Sequence, residues 1–282
     1  MVIANELIPQ IQFFNYKCGR ANASITSALV ESMWGVIPAA GKGSRITEHH
    51  VDGCKELIEI NGVTMIHRTI DELREAEVEG IVIVTSPDKP EIEQRLQDSG
   101  YLQSGDIHFV EQKEANGLVD AIIQAIPICG QEMLVANPDN LFFGDSCPAA
   151  ELIKIHNKTK RCVIGIVKVV SPWGEMLSDT GRIGSLTYTE NHSYGIVNSI
   201  LEKRKDATFP LTSPPKWRCT GRMILTNEFW TQNGHDDVEM LQSLAIQDKL
   251  LSAEIIADYV DVGIPNGLLY ARENYDSSGA RI

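Results

Sequence analysis

The chain has 282 residues, of which 43% are hydrophobic and 22% are charged, and both fractions are typical of soluble globular proteins. The formal net charge of −13 argues against a general nucleic-acid binder, whose affinity depends on lysines and arginines that contact phosphates. No apolar run approaches the roughly 20 residues that span a bilayer, and the N-terminus lacks the pattern of a secretory signal. The six cysteines are scattered without a C-x-x-C pair, which predicts reduced thiols in a cytoplasmic protein.

Residues 1–33 carry no recognisable chemistry, and we interpret them as an N-terminal extension of unknown role. From Trp34 to about residue 160, short apolar strands alternate with amphipathic helices. The predicted strands are 36–40, 81–85, 107–110 and 133–136, and the predicted helices are 65–76, 90–96 and 118–126. This alternation predicts a mostly parallel, Rossmann-like central sheet with helices on both faces. Ligands of such sheets bind beyond the carboxyl ends of the strands, so the loops that follow the first, third and fourth strands should share one cleft.

The pattern changes after residue 160. It predicts a long strand at 162–170, an antiparallel pair at 182–187 and 195–201, a strand at 218–226, a helix at 238–251, a strand at 254–260 and a helix at 265–275. No linker separates the two halves. We therefore predict one domain over 34–275, whose halves 34–160 and 161–275 form two walls of the same cleft, followed by a tail at 276–282.

A glycine-rich basic loop follows the first predicted strand, with the sequence Gly41-Lys42-Gly43-Ser44-Arg45. Glycines allow backbone N–H groups to turn toward an anion. The loop's own lysine and arginine, together with Lys55, add positive charge. A strand that leads into such a loop predicts a phosphate site. A P-loop is excluded because the lysine precedes the second glycine, and a dinucleotide fingerprint is excluded because Ile46 stands where a third glycine is required.

Two further segments follow strands that end at the same cleft. Gln112 comes two residues after the end of the third predicted strand, and its amide group can pair with the edge of a uracil or thymine ring. Gly117, five residues later, lets the backbone approach the plane of a base. Asp139 follows the fourth strand, where a carboxylate can hold Mg²⁺, although a turn aspartate that caps the next element would look the same.

Taken in chain order, these and later motifs resemble the signature of the sugar-1-phosphate nucleotidyltransferases. The motifs are G-x-G-S-R, K-x-L, Q-x4-G-L, D-N-x-F-x-G, E-K, T-G and D-x-G, within about residues 34–275. They are most similar to the glucose-1-phosphate thymidylyltransferase and uridylyltransferase branch. The resemblance implies a nucleotidyltransferase (GT-A-like) α/β fold with an added antiparallel sugar-binding region, for which 34–160 is the nucleotide-binding half and 161–275 the sugar-binding half.

The resemblance also implies a reaction: a pyrimidine nucleoside triphosphate, UTP or dTTP, and a sugar 1-phosphate give a nucleotide sugar and pyrophosphate, with Mg²⁺ as the cofactor. It implies no nucleic-acid or membrane partner. Members of the family often form dimers or tetramers, and the sequence leaves the homo-oligomer and its interface open.

The site residues are carried over motif by motif. Arg45 is implied to stabilise the leaving pyrophosphate, and Lys55 to hold the attacking phosphate or the α-phosphoryl oxygens. Asp139 and Asp261 are implied to be the metal ligands. The implied nucleotide-binding residues are Ala40, Gly41, Gly43, Ser44, Gln112 and Gly117. The implied sugar-phosphate-binding residues are Gly195, Glu202, Lys203 and Thr220, and Arg204 stands where the family has a proline.

Two other functions stay open at this point. A cytidylyltransferase that acts on a phospho-alcohol or a phosphonate would use the same scaffold. A non-catalytic regulator would keep the fold and bind nucleotide as a signal, although the joint presence of two cations and two aspartates argues against it. The sequence identifies neither the sugar nor the base, since uracil and thymine differ by a single methyl group.

Overall fold

The computed structural model describes residues 33–43, 54–169, 183–188, 194–201 and 217–280, and these lie in one compact unit that begins at Met33. The predicted extension at 1–33 therefore lies almost entirely outside the described residues. The elements of the first half are β1 (Trp34–Pro38), β2 (Glu59–Ile60), β3 (Val63–Thr64), α1 (Met65–Glu75), β4 (Ile81–Thr85), α2 (Pro90–Asp98), β5 (Ile107–Glu111), α3 (Leu118–Cys129), β6 (Met133–Ala136), β7 (Asn140–Phe143) and α4 (Pro148–Thr159). A 3-10 helix at Lys55–Leu57 precedes β2.

The second half has more strands than helices. Its elements are β8 (Cys162–Lys168), β9 (Ile183–Tyr188), β10 (Gly195–Ile200), β11 (Trp217–Leu225), α5 (Asn227–Trp230), α6 (Asp237–Ile246), β12 (Leu250–Glu254), β13 (Asp258–Asp261) and α7 (Pro265–Asn274). In the part of the chain that the structure describes, none of the helices is long and apolar enough to span a bilayer.

A nine-stranded sheet forms the centre of the fold, in the order β5-β4-β1-β6-β11-β8-β12-β10-β9. β5, β4, β1 and β6 are parallel neighbours, and β12 is parallel to β8. β11 runs antiparallel between β6 and β8, and β10 and β9 add an antiparallel pair at the edge. The predicted α/β architecture with a mostly parallel sheet and an added antiparallel region is confirmed.

The central strands are buried on both faces. In β1, Ile37 packs into a core cluster with α1, α2 and α4, whereas its neighbour Val36 packs into a second cluster with α3 and α6. Both side chains are fully buried. Alternate residues of a strand point to opposite faces, so a continuous apolar run is what a doubly covered strand requires. This rigid centre fixes the positions from which the cleft loops leave β1, β5 and β6.

A third core cluster is built around a small two-stranded sheet. β13 pairs antiparallel with β7, and α7 and the β2–β3 hairpin pack on this pair. Buried Val260 and Leu141 lie at its centre, and Tyr275 stacks on Phe143 with ring centroids 3.8 Å apart. Burying apolar side chains of this size contributes roughly 1.5–3 kcal/mol each. The cluster thereby anchors β13 beside the loop that follows β6.

Several predicted boundaries were wrong; the first strand, predicted over 36–40, lies at Trp34–Pro38, and the helix predicted over 90–96 continues to Asp98. The helix predicted to end before Pro127 continues to Cys129, because a proline in the last turn removes only one N–H donor. The helix predicted over 238–251 ends at Ile246, where Asp248 adopts a left-handed φ of 55°. Residues 250–254 instead form β12, because pairing with β8 buries both leucines in the sheet. The strand predicted at 254–260 is accordingly divided between β12 and β13.

Candidate active site

The glycine loop begins where β1 passes the end of β4. The Ala39 N–H donates to the Val84 carbonyl at 2.7 Å, and Ala40 is buried beside it. Gly43 has a positive φ of 62°, a conformation that glycine adopts without steric cost. Ser44 and Arg45 lie outside the described residues, so their predicted roles stay predictions.

A buried lysine, Lys89, holds the backbone at the start of this loop. Lys89 Nζ donates to the carbonyl oxygens of Ala39 and Gly41 at 2.8 and 2.6 Å and to Glu56 Oε2 at 2.8 Å. Lys89 is 7% exposed and Glu56 is fully buried. Because an ammonium group has three donors, all of them are used here. Glu56, the middle residue of the K-x-L motif, therefore binds the cation that holds the backbone of the glycine loop.

The Glu56 carboxylate also affects a neighbouring thiol. Cys54 Sγ donates to Glu56 Oε2 at 3.2 Å, and Cys54 is almost fully buried. Burial, reinforced by the nearby carboxylate, raises the pKa of the Cys54 thiol to about 12. At neutral pH this cysteine is a protonated, structural side chain and is no candidate nucleophile or metal ligand.

Asp139 and Asp261, which we call the aspartate pair, approach each other although they are far apart in the sequence. In the β13–β7 register Asp261 lies opposite Asn140, and the Val262 N–H donates to the Asp139 carbonyl at 2.9 Å. A Cβ on Gly263 would lie 2.9 Å from Asp139 Oδ2 and 3.0 Å from Asp261 Oδ1. The lack of a side chain at residue 263 keeps open the space on which both carboxylates converge.

Each member of the aspartate pair contacts a basic side chain. Lys55 Nζ lies 2.7 Å from Asp139 Oδ2, and Arg218 Nη2 lies 2.7 Å from Asp261 Oδ2. Burial alone lowers the pKa of the Arg218 guanidinium, but the Tyr259 hydroxyl and the Asp261 carboxylate outweigh it, and the pKa lies above its ordinary value. The buried Arg218 therefore keeps its positive charge beside Asp261.

The remaining carboxylate oxygens are also oriented by hydrogen bonds. Asn140 Nδ2 donates to Asp139 Oδ1 at 2.7 Å, and the Gly263 N–H donates to Asp261 Oδ1 at 3.0 Å. The buried Tyr259 hydroxyl in turn donates to Asn140 Oδ1 and accepts a hydrogen bond from Arg218. Every oxygen of the aspartate pair thus accepts a hydrogen bond or an ion pair from a protein donor.

Arg222 ties the loop after β6 to helix α1. Its guanidinium donates to both carboxylate oxygens of Glu72 at 2.7–3.1 Å and to the Asn137 carbonyl at 2.8 Å. Arg222 is 1% exposed. Gly221 beside it has a φ of 66°, and a Cβ there would lie 3.0 Å from Asn137 Cβ and from Asn140 Cγ. The glycine of the T-G motif therefore allows β11 to approach the loop that carries Asp139.

The predicted base-reading pair lies at the end of β5. Gln112 is 4% exposed, and its N–H donates to the Thr85 carbonyl at 2.8 Å. Its Nε2 donates to the Gly117 carbonyl at 3.0 Å and to Asp120 Oδ2 at 2.7 Å. Gly117 precedes α3 with φ 100° and ψ −177°, a conformation that is essentially restricted to glycine. The structure thus brings Gln112 and Gly117 into direct contact.

The sugar-phosphate predictions are less well supported. Thr220 is fully buried, and its hydroxyl is so close to Gly165 that a Cβ there would collide with it, so the structure does not present it to the cleft. Gly195 is buried at the start of β10, where a Cβ would lie 2.9 Å from the Leu186 side chain. Glu202 and Lys203 lie outside the described residues. A contact between these positions and a sugar phosphate stays a prediction.

Lys89 and Arg218 are the functional candidates that sequence reasoning missed. Lys89 precedes Pro90 at the start of a helix, a position where a surface lysine is usual. Arg218 has a weak signal, because it shares one face of a predicted apolar strand with a second arginine four residues later. Each pairs with a carboxylate from a distant segment, which local patterns do not predict.

A family model described as the MobA-like NTP transferase domain matches residues 35–161. Two curated relatives are similar over most of the chain. UTP–glucose-1-phosphate uridylyltransferase of Bacillus subtilis is 28% identical over 69% of this chain and 71% of its own length. UTP–glucose-1-phosphate uridylyltransferase 2 of Staphylococcus saprophyticus is 27% identical over 85% of this chain and 90% of its own length.

Solved structures share the fold at lower identity. A UDP-glucose pyrophosphorylase in complex with UDP-glucose has a TM-score of 0.69 and 22% identity, over 86% of this chain and 97% of that one. A UTP-bound enzyme of the same kind from Acinetobacter baumannii has a TM-score of 0.65 and 20% identity, over 86% and 92% of the two chains. The matched domain and the curated relatives confirm the resemblance of this chain to the sugar-1-phosphate nucleotidyltransferases, and the solved structures share its fold.

Proposed function

We propose that this nucleotidyltransferase transfers a uridylyl group from UTP to a sugar 1-phosphate, with glucose 1-phosphate as the first candidate acceptor and dTTP as the alternative donor. The convergence of the aspartate pair with Lys55, beside the glycine loop, carries the proposal. The names of the curated relatives support the choice of UTP and glucose 1-phosphate. The position of Gln112 at the same edge of the sheet supports a pyrimidine base.

In the proposed reaction a phosphate oxygen of the sugar 1-phosphate attacks the α-phosphorus of UTP. A new phosphorus–oxygen bond forms, the bond between the α-phosphorus and the bridging oxygen breaks, and pyrophosphate leaves with the electron pair. The attacking oxygen is ionised at neutral pH, so the protein needs no base to activate it. Catalysis then depends on positioning and on neutralising negative charge, which are the contributions that Lys55 and the glycine loop can make.

The residues present fit a divalent cation such as Mg²⁺. Mg²⁺ is usually bound by one or two carboxylates together with substrate phosphates. Asp139 and Asp261 supply those carboxylates, and the space beside Gly263 lies between them. Among the described residues no group of three or more His, Cys, Asp or Glu side chains could hold a metal without substrate. Bound there, Mg²⁺ would neutralise phosphate charge and polarise the α-phosphoryl group.

Replacing Gly263 with alanine tests the space between the carboxylates. The new Cβ would lie within 3.0 Å of an oxygen of each aspartate, so both must shift. We expect the Mg²⁺ concentration required for half-maximal activity to rise about 10-fold or more, as for disturbed metal surroundings in other proteins. Gly234→Ala is the matched control, because a Cβ there would lie as close, 2.8 Å from Met240 Cγ, but outside the candidate site. An unchanged Mg²⁺ requirement in Gly263→Ala would contradict the assignment of the metal to this space.

The substrates are identified by measuring pyrophosphate release with Mg²⁺, each of five triphosphates (ATP, GTP, CTP, UTP and dTTP) and a panel of phosphorylated acceptors. We expect release that requires both UTP and a sugar 1-phosphate. Release with CTP and a phospho-alcohol would identify a cytidylyltransferase. Nucleotide binding without release for any acceptor would favour the non-catalytic regulator.

A further inference from the structure

The orientation of the Gln112 amide is fixed by two oxygen acceptors. Nε2 lies 3.0 Å from the Gly117 carbonyl oxygen and 2.7 Å from Asp120 Oδ2. Both amide hydrogens are used in these contacts, since a carboxamide nitrogen has only two. Reversing the amide would place its oxygen against a carbonyl oxygen and a carboxylate, and both contacts would become repulsive. The nitrogen is therefore held inward.

This arrangement leaves Oε1 of Gln112 as the atom that can face a ligand. Oε1 accepts no hydrogen bond from the residues that the structure describes, although the side chain is largely buried. Gln112 follows β5 directly, at the carboxyl ends of the parallel strands, where ligands of such sheets bind. The N–H groups in the first turn of α3, which have no intrahelical acceptor, add donors beside this acceptor.

We propose that Asp120 is a positioning residue that sets the base specificity of this enzyme. By holding Nε2, it makes Gln112 present an acceptor to the base. Uracil and thymine carry a hydrogen on N3 and an acceptor oxygen at position 4, which match an acceptor next to donors. Cytosine carries a bare N3 and an amino group at position 4, which reverses the pattern. This inference rests on the proposed transfer from UTP or dTTP.

A structural role for Asp120 makes a different prediction. Asp120 is the third residue of α3, where a negative charge stabilises a helix through its dipole. Asp120→Ala removes the charge and the acceptor, whereas Asp120→Asn removes the charge but keeps an acceptor oxygen for Nε2. Glu151→Ala, in the first turn of α4, removes a charge of the same kind from a different helix and serves as the matched control.

The experiment measures the dissociation constants of UTP and CTP by calorimetry, and kcat/KM for both nucleotides, in the wild type and these three variants. We expect the wild type to prefer UTP and Asp120→Ala to narrow that preference about 10-fold or more, since a hydrogen bond to a charged group commonly contributes this much discrimination. Asp120→Asn should keep most of the preference, and Glu151→Ala should keep all of it.

Two results would overturn the inference about Asp120, and a third would contradict the proposed function instead. A wild type that prefers UTP with an unchanged ratio in Asp120→Ala would remove Asp120 from base selection and leave the proposed function intact. Equal losses of thermal stability in Asp120→Ala, Asp120→Asn and Glu151→Ala, again with unchanged ratios, would assign Asp120 to the helix alone. A wild type that prefers CTP would contradict the proposed function itself.

Discussion

Replacing Asp139 with asparagine is expected to lower kcat by about 1,000-fold or more. The substitution keeps the shape of the side chain and a hydrogen-bond acceptor, but it removes the charge that Lys55 contacts and that a divalent cation requires. Charge contacts that stabilise a transition state commonly contribute about 3–4 kcal/mol when they are removed singly, and loss of the cation adds to this. Asp261→Asn should have a similar effect, because the two carboxylates converge on one space.

Thermal unfolding distinguishes this effect from misfolding. Ligands that bind only the native state raise Tm by mass action, so UTP with Mg²⁺ should stabilise the wild type and neither asparagine variant. Asp258→Asn is the matched control. Asp258 lies on β13, the same strand as Asp261, but its carboxylate contacts the Tyr275 hydroxyl at 2.9 Å. Near-wild-type turnover in Asp139→Asn would contradict the role of the aspartate pair.

Replacing Lys89 with methionine is expected to lower the free energy of unfolding by about 3–5 kcal/mol. Breaking a buried ion pair by removing one partner leaves an uncompensated charge, and here Glu56 is fully buried. The same substitution leaves the Ala39 and Gly41 carbonyls without their donor. Because Gly41 begins the glycine loop and Ala39 lies just before it, KM for the nucleotide should rise together with the loss of stability.

Urea unfolding of a double-mutant cycle separates the two effects. Adding Glu56→Gln to Lys89→Met removes the buried charge and should recover part of the stability, while KM stays high because the loop still lacks its donor. Arg95→Met, on the helix α2 that follows Lys89, is the matched control, since Arg95 pairs with Glu59 at the surface, where such pairs contribute about 0–1 kcal/mol. A loss under 1 kcal/mol in Lys89→Met would show that this pair does not stabilise the loop.

The parts of the fold that follow from local pattern were predicted well. The strands at 81–85 and 133–136 have the predicted bounds, because a short apolar run between polar turns has few alternatives when both faces of a sheet are covered. The helix predicted over 238–251 failed for the opposite reason. Leu250 and Leu251 satisfy helical spacing and strand pairing equally, and only the presence of β8 decides between them.

The candidate site also combines residues that local motifs predict with residues that only distant contacts bring into place. The aspartates could be predicted because each stands in a motif that the family resemblance covers. The buried basic residues Arg218 and Lys89 could not be found in this way. Arg218 meets Asp261, and Lys89 meets Glu56, across folded distances that no local window contains. The hydroxyl of Thr220 shows the converse, since a matching T-G motif does not reveal that its side chain points into the core.

The position of β11 between β6 and β8 has a consequence for synthesis on the ribosome. Residues 35–161, which the family model matches, include the first four parallel strands but leave one edge of β6 without a partner. That edge is covered only after residue 225 has emerged, and the second aspartate arrives later still. A nascent chain that stops after α4 would carry an open strand edge prone to pairing with other chains. The second half of the chain is therefore required twice, once to cover the edge of β6 during folding and once to complete the cleft.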